Sequence, residues 1–198
     1  MGKTIYIVLT NTGTLLSKAI GLYTRKDLNH ASIAFDEQLN EVYSFGRKQR
    51  HNPFIGGFVK ENVAEGIFQD ADCMIFSCEV SEEEYHRMRK KIRQIERRKE
   101  QYRYNFIGLF GVALNIGIQR DRAFFCSQFV ATIVDEGGVR MFSIKPNMVQ
   151  PHHFTKVPFL IQEFEGKLRT YLHKTRGQQE RKPVRISMWK SLAFRLLA

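Results

Sequence analysis

Cys126 is the residue of this sequence best placed for covalent chemistry. It stands in Phe124-Phe125-Cys126-Ser127-Gln128-Phe129-Val130-Ala131, directly before a short amphipathic run that ends at Gly137-Gly138. That spacing predicts a thiol at a helix N-terminus, where unpaired N–H groups and the helix dipole favour thiolate and can bind an oxyanion. Taken alone, a cysteine between phenylalanines reads as a small buried hydrophobe. A proton carrier changes that reading, and His30 is the best one available. It opens Asn29-His30-Ala31-Ser32-Ile33-Ala34-Phe35-Asp36, a strand-like run followed by a turn and a second run, Glu41-Val42-Tyr43-Ser44-Phe45. The pattern predicts a β-hairpin with the histidine at its open end. With the turn centred on Gln38 and Leu39, antiparallel pairing places Ser44 or Phe45 opposite His30, and Ser44 shares the imidazole's face. Ser44 is therefore the candidate to accept the Nδ1 proton and fix the tautomer, a task that a carboxylate or amide performs more firmly.

These segments resemble the papain-like hydrolases related to the NlpC-type cell-wall peptidases, in particular their circularly permuted YiiX-like branch. The matching pieces are the hairpin His30 to Phe35 with Tyr43-Ser44-Phe45-Gly46-Arg47, the helix start Phe125 to Ala131, and the turn Gln150-Pro151-His152-His153-Phe154. The histidine precedes the cysteine, the order of the permuted branch and of the lecithin:retinol acyltransferase group. The resemblance implies an α+β fold in which an antiparallel sheet packs against helices with Cys126 at a helix N-terminus. It also implies a cysteine peptidase or amidase chemistry, without a cofactor, in which His30 deprotonates Cys126 and an acyl-enzyme forms on an amide or ester. The segment leading to the cysteine in these relatives makes Tyr104 and Asn105 candidate cleft residues. Ser44 departs from the His, Asn, Gln or Glu that the family often carries at the third position.

The rest of the chain supplies the elements that must hold these groups. Met1 to Thr10 reads as a buried strand, and Leu15, Leu16, Ala19, Ile20 and Tyr23 mark one face of a helix over residues 12–23. Asn52 to Phe58, with Gly56-Gly57, reads as a turn-rich loop beside the cleft. Arg47 and Lys48, just past the hairpin, are candidates to meet a carboxylate or phosphate of a substrate. Cys73 to Val80 reads as a strand whose two cysteines fall on opposite faces as packing residues. Ser81 caps a helix that runs to about Arg98 on a stripe of Tyr85, Met88, Ile92 and Ile95. Tyr102 to Leu114 predicts a turn into a buried helix.

Composition bounds the function more loosely. The 31 Lys and Arg exceed the 20 Asp and Glu by 11, an attraction to polyanions that catalysis does not explain. No zinc-finger spacing or RNA-binding aromatic pair singles out nucleic acid, and no cysteine or histidine cluster predicts a metal site. Three cysteines fit a reducing compartment rather than a disulfide framework. With neither a secretory signal nor a long apolar run, cytoplasmic residence is the expectation. The chain divides at this level into a hydrolase domain, 1–165, and a basic extension, 166–198. The extension begins as a linker and ends in an amphipathic helix that places Met188, Trp189, Leu192 and Leu196 together, a candidate to lie peripherally on an anionic membrane. Two function classes result: on one side a thiol hydrolase of a peptide, amide or acyl-lipid substrate, or a lipid acyltransferase of the lecithin:retinol acyltransferase type, and on the other a basic binding module that has lost its chemistry.

Overall fold

The computed structural model of the chain describes residues 2–11, 28–47, 56–68, 70–114 and 116–180. The helix expected over 12–23 and the amphipathic tail over 184–198 lie outside those residues, as does Lys48. Six strands form one antiparallel sheet: β1 (Lys3–Asn11), β2 (His30–Ala34), β3 (Val42–Arg47), β4 (Gly56–Glu61), β5 (Asp72–Val80) and β8 (Ile161–Lys167), in the order β4-β3-β2-β1-β5-β8. A short parallel pair, β6 (Arg103–Tyr104) and β7 (Ala123–Phe124), stands apart from it. The helices are α1 (Glu82–Arg97), α2 (Phe106–Ala113), α3 (Cys126–Gly137) and α4 (Leu168–Glu180). The chain is thus a mixed α+β structure.

Strand β1 explains its own composition. It lies inside the sheet with both faces covered, so Ile5, Ile7 and Leu9 enter one core while Val8 enters the other. A strand buried on both sides needs apolar residues at successive positions, not alternate ones. The first core lies between the sheet and helices α1 and α3, around Phe45, Ile92, Phe129 and Val130. The second lies on the opposite face, where α4 contributes Leu168, Tyr171 and Leu172. Cys78 belongs to the first core and Cys73 to the second, as period-two alternation requires. Burial raises both thiols, Cys73 to about 12.

Helix α1 starts on a complete capping box: Glu84 N–H donates to Ser81 Oγ, and Ser81 N–H donates to the Glu84 carboxylate. Its apolar stripe, Met88, Ile92 and Ile95, meets α3. A Cβ at Gly137 would sit 2.5 Å from Met88, so the absence of a side chain there is what lets the two helices approach. Arg87 Nε donates to Gly137 O at 2.8 Å, and Gly138 ends α3 in the left-handed region at φ +96°.

Three expectations need correction. The loop over Asn52–Phe58 is, from Gly56 onward, the start of strand β4, and Phe58 is buried in the first core. The helix expected to be buried is α2, and only one of its faces is covered. The boundary at 165/166 falls inside β8, whose Glu165 and Gly166 both pair with β5, and α4 then occupies most of the stretch read as linker. β8 escaped notice because Ile161-Gln162-Glu163-Phe164-Glu165-Gly166-Lys167 is an edge strand with polar side chains, mostly exposed, and it lacks apolar alternation. Among the described residues, no helix is long and apolar enough to cross a membrane.

Candidate active site

Phe125 leaves β7 with extended angles, φ −101° and ψ 169°, and Cys126 is the first residue of α3. Two contacts set that first turn: Gln128 Oε1 accepts from Phe125 N–H at 3.4 Å, and Ser127 Oγ donates to Val149 O at 2.7 Å. Cys126 itself is 3% exposed. Its sulfur neighbours the His30 imidazole and the backbone N–H groups of Ala31 and Ser127, each of which favours the thiolate. Helix and strand thus converge on one atom.

His30 begins β2, opposite Thr10 of β1. Its Nε2 lies 2.7 Å from Glu61 Oε1. Glu61 ends β4: Val42 pairs both with Ala34 and with Glu61, which sets Glu61 four residues along the sheet from His30 on the same face, and the two side chains meet over the row of Ser32 and Ser44 that lies between them. The carboxylate is 5% exposed, yet its oxygens are well supplied. Ser44 Oγ donates to Oε1 at 2.6 Å and Ser32 Oγ donates to Oε2 at 2.6 Å. A buried carboxylate with one charged and two neutral partners escapes the penalty that an unpaired one would carry. With Nε2 committed to Glu61, Nδ1 is the imidazole nitrogen left for the sulfur.

Burial alone would discharge all three groups, and their mutual contacts win instead. Burial pulls the His30 imidazolium down, but the Glu61 charge, the Cys126 contact and the Glu61 hydrogen bond outweigh it and raise His30 to about 10. Burial pushes Glu61 up, while His30 and the two serines hold it below the ordinary carboxylate range. Burial likewise pushes the Cys126 thiol up, and His30 with the N–H groups of Ala31 and Ser127 brings it below the ordinary thiol value. Each contact favours the charged form of its neighbour: thiolate for Cys126, imidazolium for His30 and carboxylate for Glu61.

The sequence-derived candidates divide accordingly. Cys126 and His30 are in contact. Ser44 is close but holds Glu61, not the imidazole: continuing the pairing of Ile33 with Tyr43 places Gly46 opposite His30 and Ser44 opposite Ser32. The face was right and the partner was not, since Glu61, on a strand the glycine pair concealed, is the group that meets the ring. Asn105 is wholly buried and caps α2, with Oδ1 accepting from Gly108 N–H at 2.9 Å and Nδ2 donating to Ile118 O at 3.3 Å. Its side chain is spent on structure. Tyr104 is buried with its ring 4.6 Å from Phe106, a packing position and not a cleft wall. The backbone of Arg47 ends β3 opposite Gly56, and its side chain lies outside what is described.

Ser44→Ala therefore separates two roles. Loss of one buried donor to Glu61 is expected to lower stability by about 1–3 kcal/mol in urea unfolding while Cys126 stays reactive toward iodoacetamide at pH 6. Loss of reactivity in a folded variant would instead make Ser44 the imidazole's own partner.

Comparison of the chain with protein-family models, with curated proteins and with solved structures finds no match.

Proposed function

We propose that the protein is a thiol hydrolase of amide or ester bonds, built on a permuted papain-like arrangement, with Cys126 as nucleophile, His30 as general acid and base, and Glu61 as the imidazole's partner. The observation that supports it most is the unbroken line from the Cys126 sulfur through His30 to Glu61, each group shifted toward its charged form despite burial. A helix N-terminus and a neighbouring imidazolium are two of the settings that activate a cysteine, and Cys126 has both.

In the first step the Cys126 thiolate attacks the substrate carbonyl carbon, and the carbonyl π electrons move onto oxygen. The backbone N–H of Cys126, at the first turn of α3, is the donor closest in the chain to that oxyanion. As the intermediate collapses, His30 gives a proton to the departing nitrogen or oxygen and an acyl-enzyme thioester remains. Neutral His30 then takes a proton from water, the resulting hydroxide attacks the thioester, and Cys126 leaves as thiolate with His30 again protonated. Glu61 remains ionised throughout: it holds the ring and stabilises the imidazolium.

The test is the pH profile of iodoacetamide alkylation, followed at Cys126, Cys73 and Cys78 by peptide mass spectrometry. An ordinary thiol loses about tenfold in rate for each pH unit below about 8.5. Cys126 is expected to lose less of its alkylation rate than an ordinary thiol as pH falls below about 8.5, and to outpace Cys73, whose thiol is pushed up to about 12. In hydrolysis, the falling limb is expected at about 10, where His30 loses the proton the leaving group needs. A Cys126 rate that climbs with pH in step with Cys78 would end the hydrolase reading and leave a basic binding module.

A further inference from the structure

Helix α2 is apolar on every side. Phe106-Ile107-Gly108-Leu109-Phe110-Gly111-Val112-Ala113-Leu114 contains no charged or polar side chain, a composition suited to a helix enclosed all round. Only half of it is enclosed. Phe106, Leu109 and Val112 pack on the first core, whereas Ile107, Phe110 and Leu114 are 55%, 63% and 61% exposed. The spacing of three and four residues puts those side chains on one face, and Ile116, 55% exposed, stands two residues after Leu114. Such a contiguous apolar face marks an interaction surface.

Charge decides what covers it. Between Tyr102 and Arg122 the chain carries Arg103, Arg120 and Arg122 against one acid, Asp121. Arg103 Nη1 donates to the backbone carbonyls of Glu100 and Tyr102, and Arg122 Nη1 donates to Gln101 Oε1. These acceptors are neutral, so the positive charge beside α2 is not cancelled by them. A second copy of the chain would bring the same arginines and the same +11 to this face. The residues after Glu180 are also basic and would meet like charge. An anionic bilayer supplies both requirements: hydrocarbon for the exposed side chains and negative headgroups for the arginines.

We propose that the outer face of α2, with Arg103 and Arg122 at its base, docks on an anionic lipid bilayer. The parallel pairing of Tyr104 with Phe124 fixes where this places Cys126. Two residues beyond each partner stand Phe106 and Cys126, the first residues of α2 and α3, so the two helices begin side by side. Docking through α2 brings the thiol's end of α3 to the membrane surface. The docking does not depend on turnover at Cys126.

Co-sedimentation of the full chain with phosphatidylcholine vesicles, with and without phosphatidylserine, tests this. The protein is expected to bind the phosphatidylserine vesicles more tightly, and Phe110→Ser/Leu114→Ser to weaken that binding by about tenfold or more. Arg103→Gln/Arg122→Gln is expected to weaken it severalfold and to flatten its salt dependence. Unchanged alkylation of Cys126 shows that each variant is folded. Should the double serine variant fail that check, Ile107→Ser carries the same comparison with a severalfold loss. Parent-like binding by the folded serine variants overturns the proposal, as does a parent that ignores both vesicles. A parent dimer that the serine variants convert to monomer also overturns it, because the face then joins two copies.

Discussion

Glu61→Ala is expected to slow Cys126 alkylation at pH 6 by about 10²–10³-fold. Without the carboxylate, burial becomes the dominant influence on His30 and drives it to the neutral imidazole, which no longer supports a thiolate beside it. Burial then raises the thiol too, and each unit of that rise removes a factor of ten of thiolate below the pKa. Glu61→Gln divides the effect. Its amide oxygen can still accept from Nε2–H and hold the ring, so the variant should fall between alanine and the parent. The gap between glutamine and parent measures charge; the gap between alanine and glutamine measures orientation. Alkylation of Glu61→Ala within twofold of the parent would remove Glu61 from the site.

The second large effect is on stability. His30→Ala leaves the Glu61 carboxylate, 5% exposed, without its charged partner among the described residues, and truncating one member of a buried pair costs about 3–5 kcal/mol. The pH dependence follows from the directions of the shifts. His30 is raised above its ordinary 6.5, so its contribution is fully present below that value and is lost as pH climbs through about 10. Glu61 is lowered from 4.5, so its contribution is present above that value and is lost as pH falls through its folded pKa. The deficit of His30→Ala in urea unfolding should therefore be greatest at about pH 5–6.5 and shrink toward about pH 10. His30→Ala/Glu61→Leu should recover much of the deficit, since it removes the stranded charge along with its partner. A single variant as stable as the parent at pH 6 would mean that the pair is not charged in the folded chain.

Cys126 and His30, which the structure brings together, were readable in the sequence because each announces itself locally. Cys126 precedes a run with helical spacing and a glycine stop, and His30 opens a run of small and apolar residues with the character of a strand. The capping box at Ser81 and the opposite faces of Cys73 and Cys78 were likewise local facts. Glu61 was not readable, for two physical reasons. Gly56 and Gly57 suppress the strand signal of β4, and Lys60-Glu61-Asn62 looks like a solvated polar turn. Its burial arises from pairing with β3 and from two hydroxyls on other strands, which are long-range facts. Ser44 and Ser32 show the converse. Serines in a strand look like surface, yet here they are 0% and 1% exposed because a buried carboxylate needs donors. The helix α2 was correctly found and wrongly enclosed, since an all-apolar run states what it needs and not whether the chain provides it.

Strand β4 is an end strand of the sheet, bonded along one side to β3 and along the other to no strand of that sheet. Such strands open at a lower free energy than the interior of a sheet, without the rest of the molecule unfolding. When the end of β4 lifts, Glu61 leaves His30 while β1, β2 and α3 stay in place, so fraying of one strand is expected to give a form in which the imidazole has lost its carboxylate. Amide exchange at Val59, Lys60 and Glu61, compared with Ile7 and Val8 in the sheet interior, would read its population directly.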